Sequence, residues 1–352
     1  MINKIFLLHW LLIPFHWQPY LPHQDNQMNL SNKTIGRTLR LGNRLAALII
    51  LMLLPVAGPA QPADQISNPA TNTPARARRP ENLPANPRLP SLFLIGDSTV
   101  RNGQGTGTGG QWGWGDFLAP FFNTNQINVV NRALGGTSSR TFYRDQWPRT
   151  LAMLKPGDFV IMQFGHNDGS AVNDASRARG TIRGVGDETQ VITNLITKKI
   201  EAVHSFGWYE KQLIAETRAK GAVPMVCSLI PRNNWKDGGV ARNKNDYAGW
   251  AGQAAQAENV PFLDINEAIA RLYEQLGQEK VKPLFIVGAG PHTSQAGAET
   301  NAVCVVATLK GLKVNPLAKF FSEQANAVRP ADLSQPAPKP AGTAAPDKTE
   351  PE

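Results

Sequence analysis

The chain has 352 residues, 36 Lys and Arg against 27 Asp and Glu, a formal charge of +9 and only two cysteines. That length buries an ample core without disulfides, and Cys227 and Cys304 stand apart inside apolar runs, which excludes a thiolate metal site and predicts two buried free thiols. Without residues 1–60 the balance falls to 31 basic and 26 acidic residues, with no basic run interleaved with aromatics, so no nucleic-acid partner is expected.

From Met28 the chain reads MNLSNKTIGRTLRLGNR, then LAALIILMLLPVAG, then PA before Gln61. A basic stretch, a short apolar stretch and a small-residue end make an export signal, with Ala60 the expected last residue removed. The apolar run is shorter than the about 20 residues of a membrane span. The protein is therefore expected to be exported, to the periplasm or the medium, with no stable membrane insertion after cleavage. Residues 1–27 form an extension ahead of that signal, and Met28 is the expected start. Pro and Ala crowd residues 61–90, which read as a linker, and residues 325–352, which read as a disordered tail. The folded domain is expected over 91–324.

Within it, short apolar runs alternate with helical patterns. SLFLIGD (91–97) reads as a buried strand, followed by a Gly-rich loop and a helix around GDFLAPFF. INVVN (127–131) is a second strand, with a helix across SSRTFYRDQWPRTLAML after it, and DFVIMQFG (158–165) is a third. Residues 168–206 are poor in apolar residues and rich in Gly, Asp and Arg, which predicts a long loop or lid. A helix over GWYEKQLIAETRAKG ends at Gly221, and VPMVCSLI (223–230) is the fourth strand. AGWAGQAAQAEN reads as helix, VPFLDI as strand, NEAIARLYEQLG as helix and QAGAETNAVCVVATLKGL as the closing helix. This alternation predicts an α/β fold with right-handed crossovers and a parallel central sheet.

Ligands of such sheets bind beyond the carboxyl ends of the strands, and chemistry-bearing residues gather there. Asp97 and Ser98 follow the first strand, Gly135 and Gly136 the second, and Gly165-His166-Asn167-Asp168 the third. Ser98 points a hydroxyl into the crevice, although Gly-Asp-Ser-Thr alone also makes an ordinary turn. Gly136 lets backbone approach closely and offers a bare N–H. The Asn167 amide can donate to a developing oxyanion, with Asp168 or His166 bracing the loop. Ser98 N–H, Gly136 N–H and Asn167 would together form an oxyanion hole. Six histidines occur, of which three lie at or before residue 23, and His292 in GPHTSQAGAE stands just ahead of the closing helix. A neutral imidazole there can take the Ser98 proton and return it to a leaving alcohol.

These four elements, in this order, resemble the four blocks of the SGNH (GDSL-type) hydrolases. The resemblance extends to the rhamnogalacturonan acetylesterase branch through GDSTV, GWGDF, NRALGGTSSRTF, LKPGDFVIMQFGHND, GWYEKQLIAETRAKGAVPMVCSLIPRNNW, FLDINEAIA and HTSQAGAETNA, which span nearly all of 91–324. It implies a three-layer α/β/α sandwich, flavodoxin-like in its parallel sheet, that hydrolyses esters through an acyl-serine with no metal or organic cofactor. It also implies Ser98 as nucleophile, His292 as base and Gly136 and Asn167 as oxyanion donors. One departure matters: where that family carries Asp three residues before the histidine, this chain has Ala289. Three outcomes stay open. His292 leans on a backbone carbonyl as part of a Ser-His dyad, another acid such as Asp168 substitutes, or catalysis is weakened and carbohydrate binding is retained.

The expected substrate is an acetylated pectic polysaccharide or oligosaccharide of rhamnogalacturonan type. Six tryptophans, Trp112 among them, lie in the domain near expected loops or helix ends, where they either stack on sugar or fill packing gaps. Arg232, just after the fourth strand, either takes a uronate carboxylate or stabilises its loop. A lipid or thioester hydrolase is the other reading of the same blocks, and the polar loop RNGQGTGTGGQWG after Ser98 weighs against it.

Overall fold

Four consecutive apolar residues, Leu92 to Ile95, are completely buried, and that alone requires a strand covered on both faces. The computed structural model describes residues 82–337. The leader, the start at Met28 and the cleavage at Ala60 fall outside the described residues, as do 61–81 and 338–352.

In chain order the strands of the main sheet are β1 (Ser91–Gly96), β2 (Asn128–Asn131) and β3 (Phe159–Gln163). Helices α1 (Ser139–Asp145) and α2 (Trp147–Leu151) connect β2 to β3. An antiparallel hairpin follows, β4 (Thr189–Thr193) with β5 (Ile200–His204), then α3 (Phe206–Ala219) and β6 (Val223–Cys227). A small hairpin, β7 (Trp235–Lys236) and β8 (Gly239–Val240), precedes α4 (Tyr247–Ala257) and β9 (Phe262–Leu263). Then come α5 (Ile265–Leu276), α6 (Gln278–Val281), α7 (Gln295–Gly311) and α8 (Glu323–Asn326). The five-stranded sheet has the order β2-β1-β3-β6-β9 and every pairing in it is parallel.

Alternation along each strand divides the core in two. Leu92, Leu94, Ile161, Met225 and Cys227 pack with Ile265 and Ile269 of α5 and Ala302, Val305, Val306 and Leu309 of α7. Phe93, Ile95, Val160, Met162 and Val226 pack with Phe142 of α1, Leu213 and Ile214 of α3 and Ala251 and Ala255 of α4. The result is the three-layer α/β/α sandwich, with helices on both faces of a parallel sheet. Burying a side chain such as Leu94 is worth about 1.5–3 kcal/mol, and truncating it to alanine costs about 2–5 kcal/mol once the cavity is included. Both cysteines are buried and free.

Several local expectations are corrected. GDFLAPFF forms two 3-10 turns, Trp114–Phe117 and Ala119–Phe121, because Pro120 cannot donate the bond that would continue a helix. Pro148 likewise splits the helix expected after β2 into α1 and α2. The fourth strand ends at Cys227 rather than Ile230. Residues 168–206 are not an open loop: β4 and β5 pair through five residues each. Buried Arg140 pins the segment, donating to the Val172 and Gly180 carbonyls (2.7 and 2.8 Å) and twice to the Glu201 carboxylate (2.8 Å each).

The boundaries at 90 and 324 fall inside packed structure. Ahead of β1, Asn86 and Asn128 bond reciprocally (2.9 Å each way), and Lys155 reaches the Pro87 and Leu89 carbonyls. After α8, Ala331 N–H donates to the Ala307 carbonyl (2.8 Å), and Arg271 reaches the Gln335 carbonyl (2.8 Å).

Glu210 of α3 is buried with neither carboxylate oxygen hydrogen-bonded to any described residue. Burial first, and the Asp168 charge second, push its carboxyl up to about 8. A raised carboxyl keeps its proton folded and loses it unfolded, so its stabilising contribution disappears as pH rises through about 8. The depressed histidines, His166, His204 and His292, act only below their ordinary 6.5. Stability is therefore expected to fall between pH 6.5 and 8.5, and Glu210→Gln to remove about 1–2 kcal/mol of that fall. Thermal unfolding of both proteins at the two pH values checks it; identical slopes contradict it.

Candidate active site

Ser98 lies two residues beyond β1, in a turn shaped by Asp97. The Thr99 N–H and hydroxyl both donate to Asp97 Oδ1 (2.8 and 2.7 Å), and the Val100 and Arg101 N–H groups close the turn on the Asp97 carbonyl. Gln163, at the end of β3, donates to the Thr99 hydroxyl (2.5 Å) and accepts from the buried Trp114 indole (2.7 Å). Asp97 is thus a support for the turn, and burial pushes its carboxyl up to about 6.

His292 comes to Ser98 from 194 residues away, with Ser98 Oγ and His292 Nε2 2.8 Å apart. A short loop holds it. The His292 N–H donates to the Ala289 carbonyl (3.3 Å) and its own carbonyl accepts from Ile286 (3.0 Å). Trp112 clamps the next residue, its N–H donating to the Thr293 carbonyl (3.0 Å) and its carbonyl accepting from the Thr293 hydroxyl (2.9 Å). Ser294 then caps α7 through the Gly297 N–H. The Trp112 ring lies against Gly107 and Phe117, so this tryptophan is fixed by packing and braces the histidine loop. Trp114 and Trp147 are buried, and Trp208 stacks on His204 at 3.7 Å.

Two backbone N–H groups and one side-chain amide are the donors that the sequence assigns to this site. Gly136 has φ 84°, a left-handed conformation that suits glycine, in a turn closed by Thr137 N–H on the Leu134 carbonyl. A Cβ on Gly135 would lie 3.4 Å from the Ser98 Cβ, so this turn runs directly against the serine. Among the described residues, neither Gly136 N–H nor Ser98 N–H donates to any group. Asn167 spends one amide proton on the Thr137 carbonyl (2.8 Å) and keeps the other. The structure thus puts His292 on Ser98, the Gly135–Gly136 turn against Ser98, and Asn167 on the residue that follows that turn.

Asp168 is completely buried and does something else than substitute for a triad acid. Its Oδ1 accepts from the Ser139 N–H and hydroxyl (3.0 and 2.5 Å), and its Oδ2 from the Gly165 N–H (3.0 Å). It ties the loop after β2 to the loop after β3, and burial pushes its carboxyl up to about 7 against those donors. The expected backbone-carbonyl prop for His292 is also absent: among the described residues the imidazole Nδ1 has no hydrogen-bond partner. Among the described residues, Ser98 is the one hydrogen-bond partner of the His292 ring. Burial, and then the Arg232 charge, hold the imidazole below its ordinary 6.5, so it stays a neutral base into mildly acidic solution.

Arg232 is exposed beside this loop, where its Nη1 lies 3.3 Å from the position a Cβ on Gly290 would take. It does not stabilise its loop through a side-chain bond: the guanidinium has no hydrogen bond or ion pair among the described residues. Arg179 escaped the sequence reading. It donates to the Gly136 carbonyl (2.8 Å) and to the Ser170 hydroxyl (3.1 Å), tying the segment after β3 to the turn at Gly136. Its only signal was the Arg-rich composition of 168–206. Among the described residues no group of three or more His, Cys, Asp or Glu is placed to hold a metal ion.

A profile of the GDSL-like lipase/acylhydrolase family matches residues 94–299, a span that holds Ser98, Gly136, Asn167 and His292. The chain belongs to that family. It is 30% identical over 224 residues to the rhamnogalacturonan acetylesterase of Emericella nidulans, covering 63% of this chain and 84% of that protein. It is 31% identical over 227 residues to the probable rhamnogalacturonan acetylesterase YesY of Bacillus subtilis, covering 63% of this chain and 93% of that protein. Among solved structures, the Bacillus subtilis protein YxiM shares the fold, with a TM-score of 0.51 and 24% identity over 63% of this chain and 56% of its own.

Replacing Asp168 with Asn turns an NH2 donor toward one of the groups that need an acceptor, leaving a buried N–H unpaired at a cost of about 1–3 kcal/mol. Asp168→Asn is expected to lower the denaturation midpoint and to cut esterase turnover at least about tenfold, because both donor loops lose their tie. Denaturant titration and a small acetyl ester assay measure the two effects. Turnover equal to wild type would rule out the positioning role.

Proposed function

We propose that this chain is an exported carbohydrate acetylesterase that removes O-acetyl groups from pectic polysaccharide of rhamnogalacturonan type. The observation that carries the reading is the 2.8 Å contact between Ser98 Oγ and His292 Nε2, with the Ser98 and Gly136 N–H groups donating to no group among the described residues. The two acetylesterase relatives at about 30% identity support the acetyl and carbohydrate parts.

In this mechanism Ser98 Oγ attacks the acetyl carbonyl as His292 Nε2 takes its proton. The carbonyl oxygen gains negative charge, which Ser98 N–H, Gly136 N–H and the free Asn167 amide proton stabilise; losing one such donor costs about 10²–10³ in turnover. Collapse breaks the bond to the sugar oxygen, which leaves with the proton from His292. Water, deprotonated by the same imidazole, then releases acetate from Ser98. The imidazolium formed in each step has no carboxylate on Nδ1 among the described residues. In serine proteases, turning the equivalent aspartate into Asn costs about 10⁴ in turnover, so the dyad is expected to be slow. The cleft beside the dyad, lined by His166, Arg232, Asn243 and Asp246, is polar, which disfavours a long acyl chain.

Acetate release from acetylated pectin and from a small acetyl ester tests the reading. Wild type is expected to release acetate from both and Ser98→Ala from neither. No release by a folded wild type would reject the esterase and favour a carbohydrate-binding descendant, while activity confined to octanoyl esters would favour a lipid hydrolase. Ala289→Asp is expected to raise turnover at least about tenfold by giving Nδ1 its partner. It is also expected to shift the acid limb of the pH–rate profile upward, because a nearby carboxylate favours imidazolium. Unchanged turnover in that variant would show that His292 needs no acid.

A further inference from the structure

Arg179 brings a positive charge against the turn that carries Gly136. Its Nη1 donates to the Gly136 carbonyl (2.8 Å) and lies 3.9 Å from where a Cβ on Gly136 would stand. Bond lengths alone then place the Gly136 nitrogen within about 7 Å of that guanidinium nitrogen. An oxygen accepting from the Gly136 N–H would stand at most about 3 Å farther away.

The backbone is shaped to hold this residue. Ala178, directly ahead of it, is buried at φ 41°, a left-handed conformation that costs free energy for any residue with a Cβ. Gly180, directly after it, has no room for a side chain, because a Cβ there would run into the Ser170 carbonyl oxygen. The Gly180 N–H closes back on the Ala171 carbonyl (2.9 Å), and its own carbonyl accepts from buried Arg140 (2.8 Å). The Thr181 N–H then donates to the Asp168 carbonyl (3.0 Å). Residues 171–180 therefore leave and rejoin the domain at one place, and half-buried Arg179 is carried at the rejoining end. Strain of the kind seen at Ala178 persists where its surroundings over-determine it, and it gathers at functional sites.

The charge has no ion-pair partner among the described residues. Asp168, Asp97 and Asp174 attract it from a distance, but their oxygens are engaged elsewhere. Asp168 accepts from Ser139 and Gly165, Asp97 Oδ1 from Thr99, and Asp174 Oδ1 from Ser176 and Arg177. Nor does this charge weaken the base, since burial and the Arg232 charge are what hold His292 below its ordinary 6.5. Arg179 thus acts on the Gly136 side of the site and not on the imidazole.

We propose that Arg179 supports the transition state at Ser98 without touching it: its fixed positive charge, set against the Gly136 turn, stabilises the negative charge that develops on the acetyl carbonyl oxygen. This role rests on the esterase reading. The carbonyl oxygen of the bound ester is neutral, so the attraction grows only as Ser98 Oγ bonds to the carbonyl carbon and the electron pair moves onto oxygen. The guanidinium keeps its protons throughout. A unit charge about 7–10 Å away in a partly buried site favours the anion by roughly tenfold to fiftyfold.

Two substitutions separate charge from shape. Arg179→Lys keeps a cation, and Arg179→Gln keeps a neutral donor for the Gly136 carbonyl. For these and wild type, kcat and KM on a small acetyl ester are measured beside the affinity for a small alkylboronic acid. That boron accepts the Ser98 oxygen and becomes a tetrahedral anion, while the serine proton passes to His292. Arg179→Gln is expected to lower kcat about tenfold to fiftyfold at unchanged KM and to weaken the boronic acid by a similar factor. Arg179→Lys is expected to recover most of both losses. Equal losses in the two variants, a kcat loss without a loss of boronic-acid affinity, or a Gln variant equal to wild type would each overturn the charge role. With wild type hydrolysing the ester, those outcomes leave the esterase reading standing. A folded wild type that releases no acetate overturns the esterase reading. Boronic-acid affinity that still follows the charge then supports the Arg179 role, and affinity that ignores the charge, or no binding, overturns it too.

Discussion

Asp168 accepts hydrogen bonds from Ser139 after β2 and from Gly165 after β3, so one buried side chain holds together the two loops that carry Gly136 and Asn167. Parallel strands end at one edge of the sheet, but the edge itself does not fix how far apart the following loops stand. A carboxylate with three donors does, because each unpaired N–H in that dry environment would cost about 1–3 kcal/mol. Arg179 and Arg140 extend the same logic outward, one bonding the Gly136 carbonyl and the other fastening the β4–β5 hairpin segment through Glu201.

The electrostatics of the site follow from what the frame leaves out. His292 has Ser98 on Nε2 and, among the described residues, nothing on Nδ1, while Arg232 places an uncompensated positive charge nearby. Both features disfavour imidazolium, the species formed in each proton transfer.

Much of this was legible in the sequence because it is local. The buried strand SLFLIG, the Ser98 turn behind it and the glycine pair after β2 each depend on a few consecutive residues, and the strand–helix alternation placed all of them at one edge. What was not legible depends on partners distant in sequence. Asp168 looked like a candidate acid for His292 because motif order says nothing about which carboxylate oxygen meets which N–H. Residues 168–206 read as a loop or lid because β4 and β5 leave most of their residues exposed, and the segment's support comes from Arg140 and Glu201, 61 residues apart. The composition of 325–337 suggested a tail, yet backbone bonds to Ala307 and Arg271 hold it against the domain. His166 read only as a brace for its loop and Asp246 gave no signal, since the cleft that both line needs three loops to exist.

The most direct measurement is mass spectrometry of the protein quenched during turnover of a small acetyl ester. A Ser98 nucleophile activated by His292 predicts one acetyl group on the peptide that carries Ser98. The label should be missing in Ser98→Ala and strongly reduced in His292→Ala. Steady ester hydrolysis with no acetyl on that peptide, or an equal label in the His292→Ala protein, would contradict the dyad.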